Sequence, residues 1–457
     1  MRLLPVKSTL VILTLAGCLV LPERVPALKQ YGLIDWHVLP GLLDFPPGNL
    51  WTVAEEIEEP RVAGAAVGST GRIAGAEGAL DTFFAALHRT EMGEQDAVTR
   101  VLHYGDSPTT ADMITADVRD LLQSRFGDAG HGFCLITKPW AWYGHRGLRY
   151  AAEDWVVEAA TQTRVRDGFY GLGGASFRGE TGVTASFTLK EPGQTRFELS
   201  FLRQPSGGIV SIDADGRPVG AVNTASLPGS AASPDWREFA LPAAARRVRL
   251  TVASGSVRLF GVRFEKPGPG VVYDSLGLNG AYISVLARMF HERHWAEQLR
   301  HARPHLIVIN YGTNESAYEQ FIEKSYAKEL REAVRRIREA TPATSVLVMS
   351  PMDRGVRELG GDIGTLPAIP RLVAIQEEVA REEGCAFFNT FLAMGGEGTM
   401  GRWYDGDPRL VGGDFIHPMP RGARIIGNLL YEALFDSYNR YKIRRMQERM
   451  AATREAR

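Results

Sequence analysis

Apolar residues in this chain change period twice, and that change limits the folds open to it. From about Trp155 to Lys266 they recur at alternate positions: Val183, Ala185, Phe187 and Leu189 are separated by small or polar neighbours, as are Phe197, Leu199 and Phe201, and Val248, Leu250 and Val252. A period of two turns successive side chains to opposite faces of a strand. Asp215-Gly216 is a hairpin signal, and Gly, Pro and Ser punctuate the runs. Residues 155–266 are therefore expected to form a β-sandwich or jelly roll. On either side the pattern is different. Leu306-Ile307-Val308-Ile309, bounded by Pro304 and Gly312, suits a strand covered on both faces. Phe321 to Ala340 reads as a helix, Ser345 to Met349 as a strand, Leu372 to Glu383 as a helix and Ala386 to Phe388 as a strand. This alternation predicts a three-layer α/β domain with a parallel sheet, assembled from residues 80–154 and 267–437 around the inserted β-domain. Pro267-Gly268-Pro269-Gly270 marks the return to it.

Three short strings lie at the ends of strand-like runs in the α/β parts. Val98 to Tyr104 reads as a buried strand broken by Gly105-Asp106-Ser107, after which Met113, Ile114, Val118, Leu121, Leu122 and Phe126 recur at helical spacing before Gly127. A serine in a strand-to-helix turn stands at the carboxyl edge of a sheet, beside the N–H groups that open the helix. The second string, Gly312-Thr313-Asn314, follows the Leu306–Ile309 run, so the neutral Asn314 amide can donate to a developing oxyanion. The third, Asp414-Phe415-Ile416-His417, follows Val411-Gly412-Gly413 and precedes a helical pattern through Ile425, Ile426, Leu429, Leu430, Leu434 and Phe435. At that spacing a carboxylate can fix the imidazole tautomer and leave Nε2 free to accept a proton. Taken singly, each string has a structural alternative: Ser107 as a helix cap, Gly312-Thr313-Asn314 as an ordinary turn, and Asp414 with His417 as a surface pair.

In combination and order, these strings resemble the blocks of the SGNH/GDSL hydrolase family. The first block is His103-Tyr104-Gly105-Asp106-Ser107, the second Ser275-Leu276-Gly277-Leu278-Asn279-Gly280-Ala281, the third Gly312-Thr313-Asn314-Glu315 and the last Asp414-Phe415-Ile416-His417. The resemblance implies a flavodoxin-like fold and a serine esterase that needs no cofactor or metal. Ser107 would be the nucleophile, His417 the general base and acid, and Asp414 its orienting partner. The Ser107 N–H, the Gly280 N–H and the Asn314 amide would form the oxyanion hole, with Gly280 favoured over Gly277. Pro108 after the serine and Glu315 after Asn314 depart from the family pattern; neither removes a catalytic atom, and both are expected to alter the site rim. The inserted β-domain resembles the carbohydrate-binding-module-like insertion of bacterial peptidoglycan O-acetylesterases. That parallel implies an acylated envelope polysaccharide as substrate. Trp140, Trp142, Tyr143 and Trp155 are candidates for a sugar-stacking platform, and Trp403 and Tyr404 for the rim; an aromatic interdomain core and a packed loop anchor are the alternative readings. An O-acyltransferase, a lipase or thioesterase with the same triad, and a non-catalytic polysaccharide-binding lipoprotein are the other functions these residues allow.

Composition and the N-terminus bound location and partners. The chain has 457 residues and a net charge of −1, which gives no electrostatic reason for a nucleic-acid partner. Arg2 and Lys7 precede an apolar stretch from Leu10 to Leu21, so residues 1–27 read as an export signal. Leu15-Ala16-Gly17-Cys18 resembles a bacterial lipobox, which would lipidate Cys18 and attach the protein to a membrane; cleavage after Val25-Pro26-Ala27 and an uncleaved anchor are the alternatives. The expected location is the bacterial cell envelope or periplasm. Residues 28–79 read as an N-terminal segment and linker, and 438–457 as a basic helical tail. Cys134 and Cys385 read as buried free thiols, with a disulfide as the alternative.

Overall fold

The computed structural model describes residues 71–162 and 167–455, all within the unit Ala66–Arg457. The export segment, Cys18 and the stretch up to residue 70 lie outside the described residues.

A six-stranded sheet carries the site. Its strands are β1 (Ile73–Gly75), β2 (Val98–Gly105), β3 (Gly270–Gly277), β4 (Leu306–Asn310), β5 (Ser345–Met349) and β6 (Ala386–Phe388). Their order across the sheet is β1-β6-β5-β4-β2-β3. The five strands from β2 to β6 pair in parallel, while β1 runs antiparallel along the edge of β6. Counting only the parallel strands, the order is that of flavodoxin-like folds, in which the chain reverses its direction of travel between the first and third strands. The expectation of an all-parallel sheet is corrected at β1, which also falls in the segment read as linker. Three residues are too few to display a period, and Gly75 holds a φ of 123° against the Cys385 carbonyl.

Helices cover both faces of this sheet. They are α1 (Asp81–Glu91), α2 (Ile114–Phe126), α3 (Glu292–Ala302), α4 (Ala327–Ala340), α5 (Ala368–Glu382) and α6 (Pro420–Glu455). Alternate residues of β4 enter opposite cores: Leu306 and Val308 pack with Phe84 of α1, Leu122 of α2 and Leu430 of α6, whereas Ile307 and Ile309 pack with Leu299 of α3, Val334 of α4 and Leu372 of α5. Every residue of β4 and β5 is buried, which is why these strands read as unbroken apolar runs. The basic tail does not begin as a separate element at 438. It continues α6, with Tyr438 and Tyr441 buried, the Tyr438 hydroxyl donating to Glu91 at 2.6 Å and Arg444 paired with Asp81. Among the described residues no helix is long and apolar enough to cross a membrane.

Between β2 and β3 the chain builds two antiparallel sheets. One joins, in order, Arg217–Asn223, Ile209–Ala214, Arg247–Ser254, Thr184–Leu189 and Leu148–Glu153; the other joins Ser233–Ala240, Arg196–Arg203, Ser256–Glu265, Ala175–Glu180 and Val156–Ala159. Phe187 of the first sheet meets Phe264 of the second with ring centroids 5.7 Å apart. Asp215 and Gly216 turn the hairpin with φ of 49° and 78°, as their types suggested. The antiparallel region begins earlier than residue 155, because Leu148–Glu153 pairs with Thr184–Leu189 and Gly132–Cys134 pairs with Ser256–Glu265. Leu-Arg-Tyr-Ala-Ala-Glu alternates too weakly to announce a strand. Ionic contacts tie this region to the six-stranded sheet: Arg263 donates to Asp274 of β3 at 2.9 Å, and Arg100 of β2 grips the Glu265 carboxylate with two N–H groups. Cys134 and Cys385 are free and buried.

Candidate active site

The carboxyl ends of β3, β2 and β4 are neighbours, and each delivers one of the sequence blocks. At the end of β2, Gly105 leaves room for the next turn to fold back. A Cβ there would sit 2.2 Å from the Thr109 hydroxyl and 3.1 Å from the Asn310 carbonyl. Ser107 opens a helical turn, Ser107–Thr110, and Pro108 occupies a first-turn position whose N–H would have had no helical partner. That explains the unusual proline, which is buried instead of lying on the rim.

The last block is a closed loop. Val411 bridges Pro418, and the Gly412 N–H donates to the His417 carbonyl at 2.9 Å. Asp414 accepts the N–H groups of Ile416 at 3.0 Å and His417 at 3.1 Å on one oxygen, and His417 Nδ1 at 2.5 Å on the other. With Nδ1 donating, His417 Nε2 accepts the Ser107 hydroxyl, 2.8 Å away. Partial burial raises the Asp414 pKa, but the hydrogen bond from His417 and the two backbone N–H groups outweigh it and hold the group at about 2. The hydrogen bond to Asp414 pushes the His417 pKa upward, against the opposing effect of burial. The geometry thus supplies a hydroxyl, a base to take its proton and an anion to support the resulting imidazolium.

Phe415, between the two, holds a φ of 59°, a left-handed conformation that a bulky side chain adopts at a cost of about 1–3 kcal/mol. Its surroundings fix it there. The Gly355 N–H donates to its carbonyl at 2.9 Å, the Arg357 guanidinium lies 5.3 Å from its ring centroid, and Tyr404 meets the ring edge-on at 4.8 Å.

The remaining two blocks face each other. Asn314 Nδ2 donates to the Ala281 carbonyl at 3.0 Å, which leaves its second amide hydrogen for another acceptor. Gly280 has a φ of 69° and open space where a side chain would project, whereas a Cβ on Gly277 would lie 2.1 Å from the Thr110 nitrogen. The two glycines therefore differ in kind: Gly277 allows β3 to approach the serine turn, and Gly280 borders open space. Gly277→Ala is expected to destabilise the fold by about 1–3 kcal/mol through overpacking and to slow ester hydrolysis by displacing that turn. Chemical denaturation and initial rates on the same preparation check both effects.

Glu315, the departure expected to alter the rim, is wholly buried. One carboxylate oxygen accepts the Ile283 N–H at 2.7 Å and the other the Gly312 N–H at 3.0 Å, so the side chain spans the second and third blocks. Burial pushes its pKa up to about 8, while the backbone N–H groups pull the other way. Burial likewise raises Asp106, beside the serine, to about 6. The bond from Ile283 to Glu315 is not legible in a linear string, because the two residues are remote in sequence.

The aromatic candidates separate. Trp403 is buried in the core with α6 and is not a rim residue, and Tyr143 is buried with its hydroxyl accepting the Leu135 N–H. Trp140 packs partly against the core, and Trp155 donates from its indole to the Thr184 carbonyl. Tyr404 is the edge-on neighbour of Phe415. Trp142 is 54% exposed, on a loop whose Gly144 N–H reaches the carbonyl of Thr110 in the serine turn at 3.4 Å.

Residues 245–425 match the model of the GDSL-like lipase/acylhydrolase family. That span holds Gly280, Asn314, Asp414 and His417. In overall fold the chain is similar to a solved peptidoglycan O-acetylesterase, with 20% identity over 78% of this chain and 96% of the other and a TM-score of 0.66. More limited likenesses include a GDSL-like lipase from Parabacteroides merdae (19% identity, 36% of this chain and 72% of the other, TM-score 0.28). Another is a carbohydrate-binding module from Cellvibrio mixtus lichenase 5A in complex with cellotriose (15% identity, 25% of this chain and 89% of the other, TM-score 0.19). No curated protein matches the chain. The family match over residues 245–425 and the likeness in fold together support a carboxylic ester hydrolase. Within it, the architecture is like that of the peptidoglycan O-acetylesterase.

Proposed function

We propose that the protein is an exported serine esterase that removes small acyl groups, O-acetyl foremost, from a cell-envelope polysaccharide. The observation that carries the chemistry is the unbroken chain from Ser107 Oγ to His417 Nε2 and from His417 Nδ1 to Asp414. Ser107 attacks the ester carbonyl as His417 takes its proton, and His417 then returns that proton to the departing sugar hydroxyl. Water, activated by the same imidazole, releases the acid from the acyl-serine. The Ser107 N–H, the Gly280 N–H and the free hydrogen of the Asn314 amide hold the oxyanion, with Glu315 keeping the second and third blocks in register.

Three observations support the envelope as the setting. An apolar segment with preceding basic residues and the Cys18 string lie at the N-terminus. Two antiparallel sheets stand between the first and second blocks, read here as an inserted carbohydrate-binding domain. A solved protein of similar fold is a peptidoglycan O-acetylesterase. Of the sequence-predicted aromatic candidates, Trp142, exposed on its loop beside the serine turn, is the one free to meet a neighbouring sugar unit of the polymer. Acetate release from O-acetylated peptidoglycan, measured beside acetylated glucan and xylan, tests the reading. Release from the envelope polymer in preference to the others is the expected result; hydrolysis of small esters with no release from any polymer rejects the substrate.

A further inference from the structure

Arg354 takes no part in the acyl transfer described above, yet it is anchored beside the Asn314 block and lies near the catalytic loop. It follows β5 in the chain, and its Nη1 donates at 2.9 Å to the carbonyl of Thr313, next to Asn314, and at 2.9 Å to the Ser316 hydroxyl. These two bonds fix one end of the guanidinium on a rigid turn. It interacts electrostatically with Asp414, Tyr282 and His417, so it lies near both the oxyanion blocks and the catalytic loop. A partly buried guanidinium with donors to spare is the group best suited to grip a carboxylate through two parallel hydrogen bonds.

Beside it is an aromatic surface. Tyr282, two residues after Gly280, meets Tyr318 with ring centroids 6.0 Å apart and Phe321 at 6.2 Å. Tyr318 is 56% exposed although it is large and aromatic. Aromatic faces flanking a few placed polar groups are the usual lining of a site for an amphipathic ring.

We propose that Arg354 is a specificity-determining residue that pairs with a carboxylate carried by the acylated sugar, whose ring lies on Tyr282 and Tyr318. The substrate class is thus an O-acyl ester on an acidic sugar unit. This rests on the esterase reading above and adds to it the charge of the sugar.

A matched pair of substrates tests it: an O-acetylated methyl glucuronoside and the same compound as its neutral primary amide, assayed at pH 7 by acetate release. The wild-type protein is expected to favour the acid by about tenfold or more in kcat/KM, the scale of one well-formed charged contact. Arg354→Gln is expected to bring that ratio close to one, and Arg354→Lys, which keeps the charge without the fork, to retain part of it. Equal rates on the two compounds with wild-type protein, or an undiminished ratio in Arg354→Gln, would overturn the inference while leaving the esterase reading intact. Turnover of neither compound, nor of p-nitrophenyl acetate, removes both. A second measurement needs no variant: methyl glucuronoside is expected to inhibit p-nitrophenyl acetate hydrolysis at a lower concentration than methyl glucoside, and equal inhibition rejects the role given to Arg354.

Discussion

Ser107→Ala is expected to abolish turnover of a small acetyl ester, lowering kcat by roughly 10⁶-fold while the protein stays folded. The size follows from the loss of the covalent route: without the hydroxyl, only the oxyanion donors and substrate binding remain, and in serine hydrolases these retain about 10³–10⁴-fold over water. Folding is expected to survive because the Ser107 hydroxyl is bonded to His417, outside either core. Removing one oxygen there opens no apolar cavity. An unchanged far-ultraviolet circular-dichroism spectrum and thermal transition, beside a lost esterase rate, is the pattern to be found. Activity like that of the wild type would rule Ser107 out as the nucleophile.

The second large effect belongs to Asp414. Asp414→Asn keeps the shape of the side chain but removes the anion that accepts from Nδ1, and the amide can present a donor there and stabilise the wrong imidazole tautomer. A fall in kcat of about 10⁴-fold is expected. The pH profile adds a signature that simple misfolding would not give. His417 works as a base only when neutral, and its pKa is raised by its bond to Asp414. Wild-type kcat/KM is therefore expected to rise with pH through a value above that of an ordinary histidine. In the variant that support is gone, so the acid limb is expected to move to lower pH. An acid limb that stays in place with unchanged rates would mean that Asp414 does not act on His417.

Much of this site is legible in the sequence because its parts are local. Asp414 and His417 are three residues apart, and a turn closed by their own backbone brings them together. Ser107 and Asn314 each follow a strand by a few residues, so naming the strand locates the side chain. What stays hidden depends on partners remote in sequence. Glu315 reads as a conservative change from aspartate, and only the fold reveals that its extra length reaches the Ile283 N–H. Arg354 has no motif around it; its meaning comes from Thr313 on one side and Asp414 on the other. The backbone of Phe415 is set by Gly355 and Arg357 of one short strand and by Tyr404 of a separate helix. Among the strands, β4 and β5 are readable because burial on both faces removes every polar interruption. β1 and Leu148–Glu153 are edge or near-edge strands, where pairing is decided by the neighbour more than by the residues themselves.

The pairing of Gly132–Cys134 with the far end of Ser256–Glu265 has a consequence for how the chain assembles. β2 and β3 lie side by side with Gly105 level with Gly277, yet the whole antiparallel region separates them in sequence. Closing so long a loop as a floppy chain would slow the search for that register, since non-local contacts form only after the entropy of closure has been overcome. Here the loop closes itself: Cys134 lies opposite Val262 and Gly132 opposite Phe264 in the antiparallel register, so the exits of the region emerge as neighbours. Once those strands have paired, β3 has only a short distance to travel to dock on β2. The register that sets the serine turn beside the Gly280 loop is thus prepared by the antiparallel region itself.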